Sequence, residues 1–169
     1  MSAAYIGTNG GLVIISCDDP GPHSSQTEQD TRLMARFAKV PVLDPSNPEE
    51  ARQMAGLALD LSEEFKVPVI LRPATRVCHA RQALVRGEIP RNGRKASFEK
   101  NPGRWAATPK FRFILHGELN RKLKEISLRF DTLAPYNSHN LVEGNRYPLG
   151  ILAGGVSYAV VKDILSEEG

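Results

Sequence analysis

GGLVIISCDDPGPHSSQTEQDTR, residues 10–32, is the stretch that decides the fold. After a glycine pair, the run LVII at residues 12–15 is apolar and rich in β-branched side chains, which is typical of a strand buried on both faces of a parallel sheet. Turn residues and a dense run of hydrogen-bonding side chains follow at 18–30, and a helical pattern covers 28–38. Strand, loop and helix in this order favour an open α/β sheet, whose ligands bind outside the carboxyl ends of the strands.

The chain after this stretch repeats the alternation of strand and helix. Short apolar runs at residues 40–43 and 67–71 predict two further strands. Between them, Ser46 and Glu49 have the spacing of a capping box, which predicts a helix with Ser46 as its N-cap. The apolar positions of that helix recur at helical spacing at Met54, Leu57, Ala58, Leu61 and Phe65. The sequence therefore predicts an α/β fold with an open, mostly parallel sheet and helices on both faces.

The second half of the chain is less regular. A short helix is expected at residues 75–85, a strand at 111–115 and an amphipathic helix through Leu119, Leu123, Ile126 and Phe130. Residues 86–110 are basic and rich in Gly, Pro and Asn, and predict an irregular surface loop that Trp105 pins to the domain. Residues 131–146 are again polar and irregular.

A new βα unit is expected near the C-terminus. Residues 149–152 predict a strand, 153–155 a tight turn and 156–165 a helix, with no further strand to receive them. We therefore expect residues 1–147 to form a partial domain and 148–169 to begin a second α/β domain. On this interpretation the chain is a piece of a larger protein.

Composition restricts the class of protein. The chain has 169 residues, of which 41% are hydrophobic and 24% charged, as in ordinary globular domains. No apolar run reaches the ~20 residues that span a bilayer, and no secretory signal is present, so we expect a cytoplasmic protein without a membrane partner. The two cysteines, Cys17 and Cys78, are too few for a disulfide framework and are expected to be buried free thiols.

Positive charge is concentrated in one part of the chain. Residues 71–112 contain eleven Lys/Arg and two Asp/Glu, whereas the rest of the chain contains eleven basic and seventeen acidic residues. Such a block can mark a nucleic-acid or phosphate partner. No aromatic-plus-basic recognition motif accompanies the charge, and we expect no nucleic-acid binding.

The best candidates for chemistry lie in the polar run at residues 23–30. At the start of a helix, such side chains can hold an anionic ligand, because the first turn has free N–H groups and the positive end of the dipole. The alternative is structural, with Ser24, Ser25 or Thr27 capping the helix and 18–20 forming only a turn.

Several arginines can bind an anion, and each has a structural alternative at the protein surface. Arg32 and Arg36 lie one helical turn apart and can hold a carboxylate, or form surface salt bridges. A basic group after the strand at 67–71 can extend an anion pocket, although a solvated basic face is the preferred interpretation. That group comprises Arg72, Arg76, His79 and Arg81.

Other kinds of site are disfavoured by spacing. The four histidines are scattered, and no Cys/His cluster has the spacing of metal ligands. The sequence contains no G-x-S-x-G elbow, G-x-G-x-x-G fingerprint or P-loop. We assign no catalytic residue and no metal site.

The string DDPG-x-HSSQ-x-EQD at residues 18–30 resembles the corresponding segment of the large (alpha) subunits of indolepyruvate:ferredoxin oxidoreductases. These are thiamine-diphosphate-dependent, iron–sulfur 2-oxoacid oxidoreductases. The likeness continues through RFAKVPVLDPSNPEEA at 36–51 and PVILRPATRVCHAR at 68–81, and returns in GILAGGVSYAVVKDIL at 150–165. It implies the second half of a pyrimidine-type thiamine-diphosphate domain.

The resemblance implies a cofactor and a set of residues near it. In that family, thiamine diphosphate lies between two α/β domains and is held with Mg²⁺. The residues expected nearest to the cofactor are His23, Ser24, Ser25, Gln26 and Glu28, with Arg32 for the substrate carboxylate. The implied partners are the remaining domains or subunits of the oxidoreductase and ferredoxin.

Several parts of the family pattern are not found in this sequence. The segment with the activating carboxylate, the G-D-G diphosphate/Mg²⁺ motif and the iron–sulfur cysteines do not occur. We therefore expect a portion of the enzyme that is inactive alone and binds no cofactor by itself. The alternative is a non-catalytic subunit or interaction module that retains the fold. A sheet with missing neighbours also favours a homodimer.

Overall fold

The structure is a computed structural model that describes residues 1–88, 95–133 and 136–167. Its sheet has three strands, β1 (Val13–Ile15), β2 (Val42–Leu43) and β3 (Val69–Leu71), in the order β1-β3-β2. Both pairings are parallel, with Ile14 opposite Ile70 and Leu43 opposite Leu71. The predicted α/β class with an open parallel sheet is confirmed. The helices are α1 (Ser2–Ile6), α2 (Arg32–Ala38), α3 (Pro48–Phe65), α4 (Thr75–His79), α5 (Arg112–Asp131) and α6 (Val156–Glu167).

Helix α3 begins one residue later than the capping pattern predicts. The side chain of Asn47 accepts a hydrogen bond from the N–H of Glu50 at 3.0 Å, so Asn47 is the N-cap and Pro48 occupies the first turn. Ser46, the predicted cap, instead donates its hydroxyl and its N–H to the Glu50 carboxylate at 2.7 and 2.8 Å. The helix itself, with its apolar face, is confirmed.

The central strand β3 divides the core between two faces of the sheet. Val69 and Leu71 pack with Met54, Ala58 and Leu61 of α3, and are all buried. Ile70 lies in the opposite cluster, which is formed by Ala4 of α1, Ala35 of α2, Val40, Val67, and Leu119 and Ile126 of α5. The alternation follows from the period of two along a strand. Helices therefore cover both faces of β3, as the sequence predicts.

Strand β1 is more exposed than its apolar sequence predicts. Leu12, Ile14 and Ile15 are 40%, 47% and 66% exposed. In the described part of the chain β1 pairs only with β3 and is an edge strand. The expectation of a strand buried on both faces is therefore wrong for this structure, because no element among the described residues covers its outer side.

Two predicted strands are absent from the described structure. Residues 111–115 belong to the start of α5, where Leu115 is buried and Phe113 and Ile114 are 72% and 69% exposed. Residues 149–152 have no regular structure, and Leu152 is fully exposed. Short apolar runs of four or five residues occur in strands, at helix starts and in irregular segments, so the sequence pattern alone did not distinguish these possibilities. Helix α6 forms as predicted.

Two predicted helices are shorter than expected. The pattern at 28–38 becomes a helix only from Arg32, and that at 75–85 ends at His79. The irregular stretch at 131–146 is confirmed where the structure describes it; residues 134 and 135 lie outside.

The basic stretch at 86–110 has no helix or strand in its described part; residues 89–94 lie outside the described residues. The Trp105 indole donates to the Glu99 carbonyl at 2.8 Å, a contact within the loop. Attachment to the domain comes from Arg104, which donates to the carbonyl of Ile6 at 2.6 Å and to Glu118 at 3.1 Å. Within the described ranges, no helix combines the length and apolarity that crossing a membrane requires.

Candidate functional site

Charged residues follow the carboxyl end of each strand of the parallel sheet. Asp18 and Asp19 come after β1, Asp44 after β2 and Arg72 after β3. Because the strands are parallel, these residues meet at one edge of the sheet. The Arg72 guanidinium is bound there from two sides, with Nε 2.5 Å from Asp18 Oδ2 and Nη1 3.0 Å from Asp44 Oδ2.

Arg72 is a buried structural charge. Its side chain is 3% exposed and that of Asp18 is 2% exposed, and Nη2 of Arg72 lies 3.5 Å from Asp30 without forming a hydrogen bond. The preferred interpretation of the basic group after β3 as a solvated face is therefore wrong for Arg72. Arg76, His79 and Arg81 are exposed, in agreement with it. The sequence feature that indicates a buried role is an arginine directly after a buried apolar strand, combined with aspartates that follow the neighbouring strands.

The two aspartates that hold Arg72 have opposite pKa shifts. Burial by itself raises the pKa of Asp18, but the Thr31 N–H and the Arg72 guanidinium outweigh it and hold that pKa below its ordinary value. Burial raises the pKa of Asp44 above its ordinary value despite the attraction of Arg72. One oxygen of Asp44 is buried without a hydrogen-bond partner, which agrees with the larger desolvation of this carboxyl. Asp18 is thus the firmly ionised partner of Arg72.

Asp19 organises the loop at residues 18–31, which we call the rim loop. One oxygen of its carboxylate accepts the N–H groups of His23, Ser24 and Ser25 at 2.9, 2.7 and 2.8 Å. The other oxygen accepts the hydroxyl of Thr75 at 2.8 Å, which ties the loop to the start of α4. The N–H groups of Ser24 and Ser25 hold the pKa of Asp19 well below its usual range. The turn predicted at 18–20 is therefore the anchor of the loop.

The residues predicted to lie nearest a cofactor are part of the rim loop. His23, Ser24, Gln26 and Glu28 are exposed. Ser25 is half-buried, and its hydroxyl donates to Asp19 at 3.1 Å and to the Thr27 carbonyl at 2.9 Å. The structure thus brings the set together at the carboxyl edge of the sheet, with four of its five side chains directed at solvent.

The start of helix α2 differs from the one that the sequence predicts. Helix α2 begins at Arg32, and its N-cap Thr31 has no side-chain capping bond. The Thr31 N–H and hydroxyl bond to Asp18 at 2.6 and 2.9 Å instead. The interpretations of residues 23–30 as a helix N-terminus, and of Ser24, Ser25 or Thr27 as caps, are therefore wrong, because Asp18 and Asp19 take up the backbone donors.

Arg32, predicted for a substrate carboxylate, is engaged within the chain. Its guanidinium donates to both carboxylate oxygens of Asp30. Nε lies 2.9 Å from Oδ1 and Nη2 lies 2.5 Å from Oδ2. These bonds hold the pKa of Asp30 at about 2. Arg32 remains exposed, and its helical neighbour Arg36 is exposed as well.

A cavity of about 330 Å³ lies between the rim loop and α6. Its walls include Asp19 and His23 of the loop, Thr75 of α4, and Val156 and Val160 of α6. Polar groups of the loop and apolar groups of α6 thus face a common space at the carboxyl edge of the sheet. Arg76 also lines this space, so a cationic side chain stands beside the polar and apolar groups.

The described residues do not provide the hard ligands that a diphosphate-bound metal needs. Among residues 1–88, 95–133 and 136–167, no group of three His, Cys, Asp or Glu is arranged to hold a metal ion. At the carboxyl edge, Asp18 is paired with Arg72 and Asp19 accepts backbone N–H groups, whereas one oxygen of Asp44 has no hydrogen-bond partner.

Comparison with known proteins gives a consistent set of relatives. The chain is 40% identical to indolepyruvate oxidoreductase subunit IorA of Pyrococcus horikoshii, over 98% of the chain and 26% of that protein. It is 42% identical to the subunit of the same name from Thermococcus kodakarensis, with the same coverage of 98% and 26%. For the subunit from Methanothermobacter marburgensis the identity is 40%, over 100% of the chain and 27% of the relative.

The matches cover nearly all of this chain but only part of each relative. The chain spans about a quarter of the length of the curated relatives it matches. No protein-family model and no solved structure matches it. Six such relatives, 37–42% identical, confirm the resemblance stated from residues 18–30, 36–51, 68–81 and 150–165. The chain is therefore homologous, along nearly its whole length, to a partial segment of the indolepyruvate oxidoreductase subunit IorA.

Proposed function

We propose that the chain forms the pyrimidine-side wall of a thiamine diphosphate site in an indolepyruvate-type 2-oxoacid oxidoreductase. The observation that carries the proposal is the rim loop, which Asp19 holds at the carboxyl edge of a parallel sheet while His23, Ser24, Gln26 and Glu28 stay exposed. That edge is where ligands bind in open α/β sheets.

The residues of the loop have the donors and acceptors that an aminopyrimidine ring needs. An amide at Gln26 can both donate and accept, a carboxylate at Glu28 accepts, and His23 can do either according to its tautomer. The chemistry that bound thiamine diphosphate supplies is nucleophilic attack on a keto carbon. The task of this chain is to orient the ring and keep it in place, while the Asp19 and Asp18 bonds fix the loop that does so.

The opposite wall belongs to other segments in this proposal. Diphosphate and Mg²⁺ would be held outside the described residues, as would the iron–sulfur centres that pass electrons to ferredoxin. The chain alone is then inactive and binds the cofactor weakly. The matches to about a quarter of IorA subunits support this division of labour.

A chimera tests the proposal directly. The homologous quarter of the Thermococcus kodakarensis subunit would be replaced by this chain, and indolepyruvate-dependent dye reduction measured against thiamine diphosphate concentration. We expect Gln26→Ala and Glu28→Ala to raise the concentration needed for half-maximal rate by about tenfold each, the loss of roughly one hydrogen bond to a buried ligand. Asp60→Ala, at an exposed position on α3, is the matched control.

The proposal fails if both loop variants and the control need the same cofactor concentration in an active chimera. Calorimetric titration of the isolated chain with thiamine diphosphate and Mg²⁺ provides a second readout. Tight binding by the chain alone would contradict a site completed by other segments.

A non-catalytic interaction module is the second candidate, and exposed apolar surface favours it. Ile15 of β1 and Leu33, Met34 and Phe37 of α2 are 66%, 75%, 63% and 69% exposed. Leu33, Met34 and Phe37 lie within one turn of α2, and exposed apolar side chains grouped in this way mark surfaces that another chain covers. In this alternative the chain is a subunit that retains the fold and associates with itself or with other subunits; an inactive chimera with a stable, soluble complex would favour it.

A further inference from the structure

The two cysteines of the chain are brought together by the sheet register. The pairing of Ile15 with Leu71 and the parallel bridge between Asp18 and Ala74 fix the register beyond the end of β1. Cys17 therefore stands opposite Pro73. The N–H of Asp18, the next residue, donates to the Pro73 carbonyl at 3.1 Å.

Cys78 reaches the same carbonyl from helix α4. Its N–H donates to the Ala74 carbonyl at 3.0 Å, which places it one helical turn above Ala74. Its Sγ lies 3.7 Å from the Pro73 carbonyl oxygen. Both cysteines are thus next to Pro73, although they are far apart in the sequence.

Both residues are also accessible. Cys17 and Cys78 are free thiols at exposed positions, which corrects the expectation that they are buried. Burial of the thiol atom and the neighbouring Cys17 side chain raise the pKa of Cys78 to about 11. This shift includes a contribution from a contact with the Cys17 thiol, because the two side chains are neighbours. It also makes Cys78 a weak nucleophile at neutral pH, since the thiolate is the reactive form.

We propose that Cys17 and Cys78 form an oxidisable dithiol site that exchanges with small-molecule disulfides and closes to an intramolecular disulfide. Cys17, directly after β1, attacks one sulfur of the external disulfide, forms a mixed disulfide and releases one thiol. Cys78 then attacks the Cys17 sulfur, loses its proton and releases the second thiol. The two protein thiols are oxidised and the external disulfide is reduced to two thiols, so atoms and electrons balance.

Closure would join the end of β1 to α4 beside the rim loop. Asp18, whose carbonyl accepts the Thr75 N–H at 2.8 Å, follows Cys17 directly. The oxidised form would therefore restrain the two segments that carry the contacts of Asp19. This site is separate from the proposed cofactor wall and does not depend on it.

Glutathione disulfide is the probe for the test. The folded chain is incubated with it, quenched with acid and analysed by intact mass and peptide mapping. We expect a Cys17–Cys78 disulfide without retained glutathione. Cys78→Ser should retain one glutathione on Cys17, because the resolving thiol has been removed.

The opposite results overturn the proposal. They are a folded wild-type chain that does not close to the Cys17–Cys78 disulfide, with or without retained glutathione, or a folded Cys78→Ser variant that retains no glutathione on Cys17. Circular dichroism of each variant confirms that the comparison is made between folded chains. The measurement needs no cofactor, so its outcome is independent of the chimera experiment.

Discussion

At the scale of single residues, Arg72 connects all three strands of the sheet. It belongs to the segment after β3 and bonds to Asp18 after β1 and to Asp44 after β2. A buried ion pair stabilises a fold only if every partner remains in place, because each charge has lost its hydration. The carboxyl edge of the sheet is therefore organised by one cation, and its loss leaves the buried Asp18 carboxylate without a counter-charge.

Replacing Arg72 should be costly. We expect Arg72→Met to lower the free energy of unfolding by about 3–5 kcal/mol, since it leaves Asp18 buried and unpaired. Urea denaturation at neutral pH measures the change. Arg121→Met is the matched control, because Arg121 is 61% exposed in its pair with Glu125, and exposed pairs contribute about 0–1 kcal/mol. Equal losses for the two variants would contradict a structural role for Arg72.

Asp19 should make the free energy of unfolding depend on pH in the acidic range. Its pKa is depressed in the folded chain, so its contribution is present above the unfolded value of ~3.9 and is lost as pH falls toward the folded pKa. We expect the free energy of unfolding to decrease below about pH 5, and Asp19→Asn to make this decrease shallower. The measurement is urea denaturation at a series of pH values, with Asp60→Asn as control. An unchanged pH profile in Asp19→Asn would count against the anchoring role of Asp19.

At the scale of elements, the sequence predicts those parts whose pattern has a single physical explanation. The parallel strands and α3 follow from apolar runs and a long amphipathic period, and the structure confirms them. Residues 111–115 were wrongly assigned to a strand because a run of five mostly apolar residues fits a strand as well as the start of a helix. Asp44 was not predicted as a member of the site, and Arg72 was predicted there only as a solvated or anion-binding cation, because the pairing of residues after neighbouring strands becomes evident only once the strand order is known. The residues predicted nearest the cofactor, at positions 23–28, were chosen from the resemblance to indolepyruvate:ferredoxin oxidoreductases and not from hydrophobic periodicity.

The N-terminus of α3 offers a direct test of the observed cap. We expect Asn47→Ala to cost about 1 kcal/mol, since it removes the acceptor for the Glu50 N–H. Thermal and urea unfolding would measure it, with Asp60→Ala at an exposed position of the same helix as the control. A larger cost for Ser46→Ala than for Asn47→Ala would indicate that the predicted cap is the real one.

At the scale of the whole molecule, β1 presents an open edge of the described sheet. The carbonyl of Leu12 and the N–H of Ser16 bond to β3 at 3.0 and 2.9 Å. Because backbone groups of alternate residues point to opposite sides of a strand, those of Val13 and Ile15 point away from β3. Unpaired edge groups beside exposed apolar side chains form a surface to which another strand can add. The homologous subunits are about four times longer, so their additional segments can supply such a strand.

The isolated chain should associate through this edge. We expect light scattering coupled to size exclusion to give a homodimer, and Ile15→Lys to shift it toward the monomer, since a charge on an edge strand opposes pairing. Leu149→Lys is the matched control, because Leu149 is 76% exposed in an irregular segment away from the sheet edge. If the control dissociates the dimer as readily as Ile15→Lys, the contact does not use β1. A monodisperse monomer of the unmodified chain would contradict the expected homodimer.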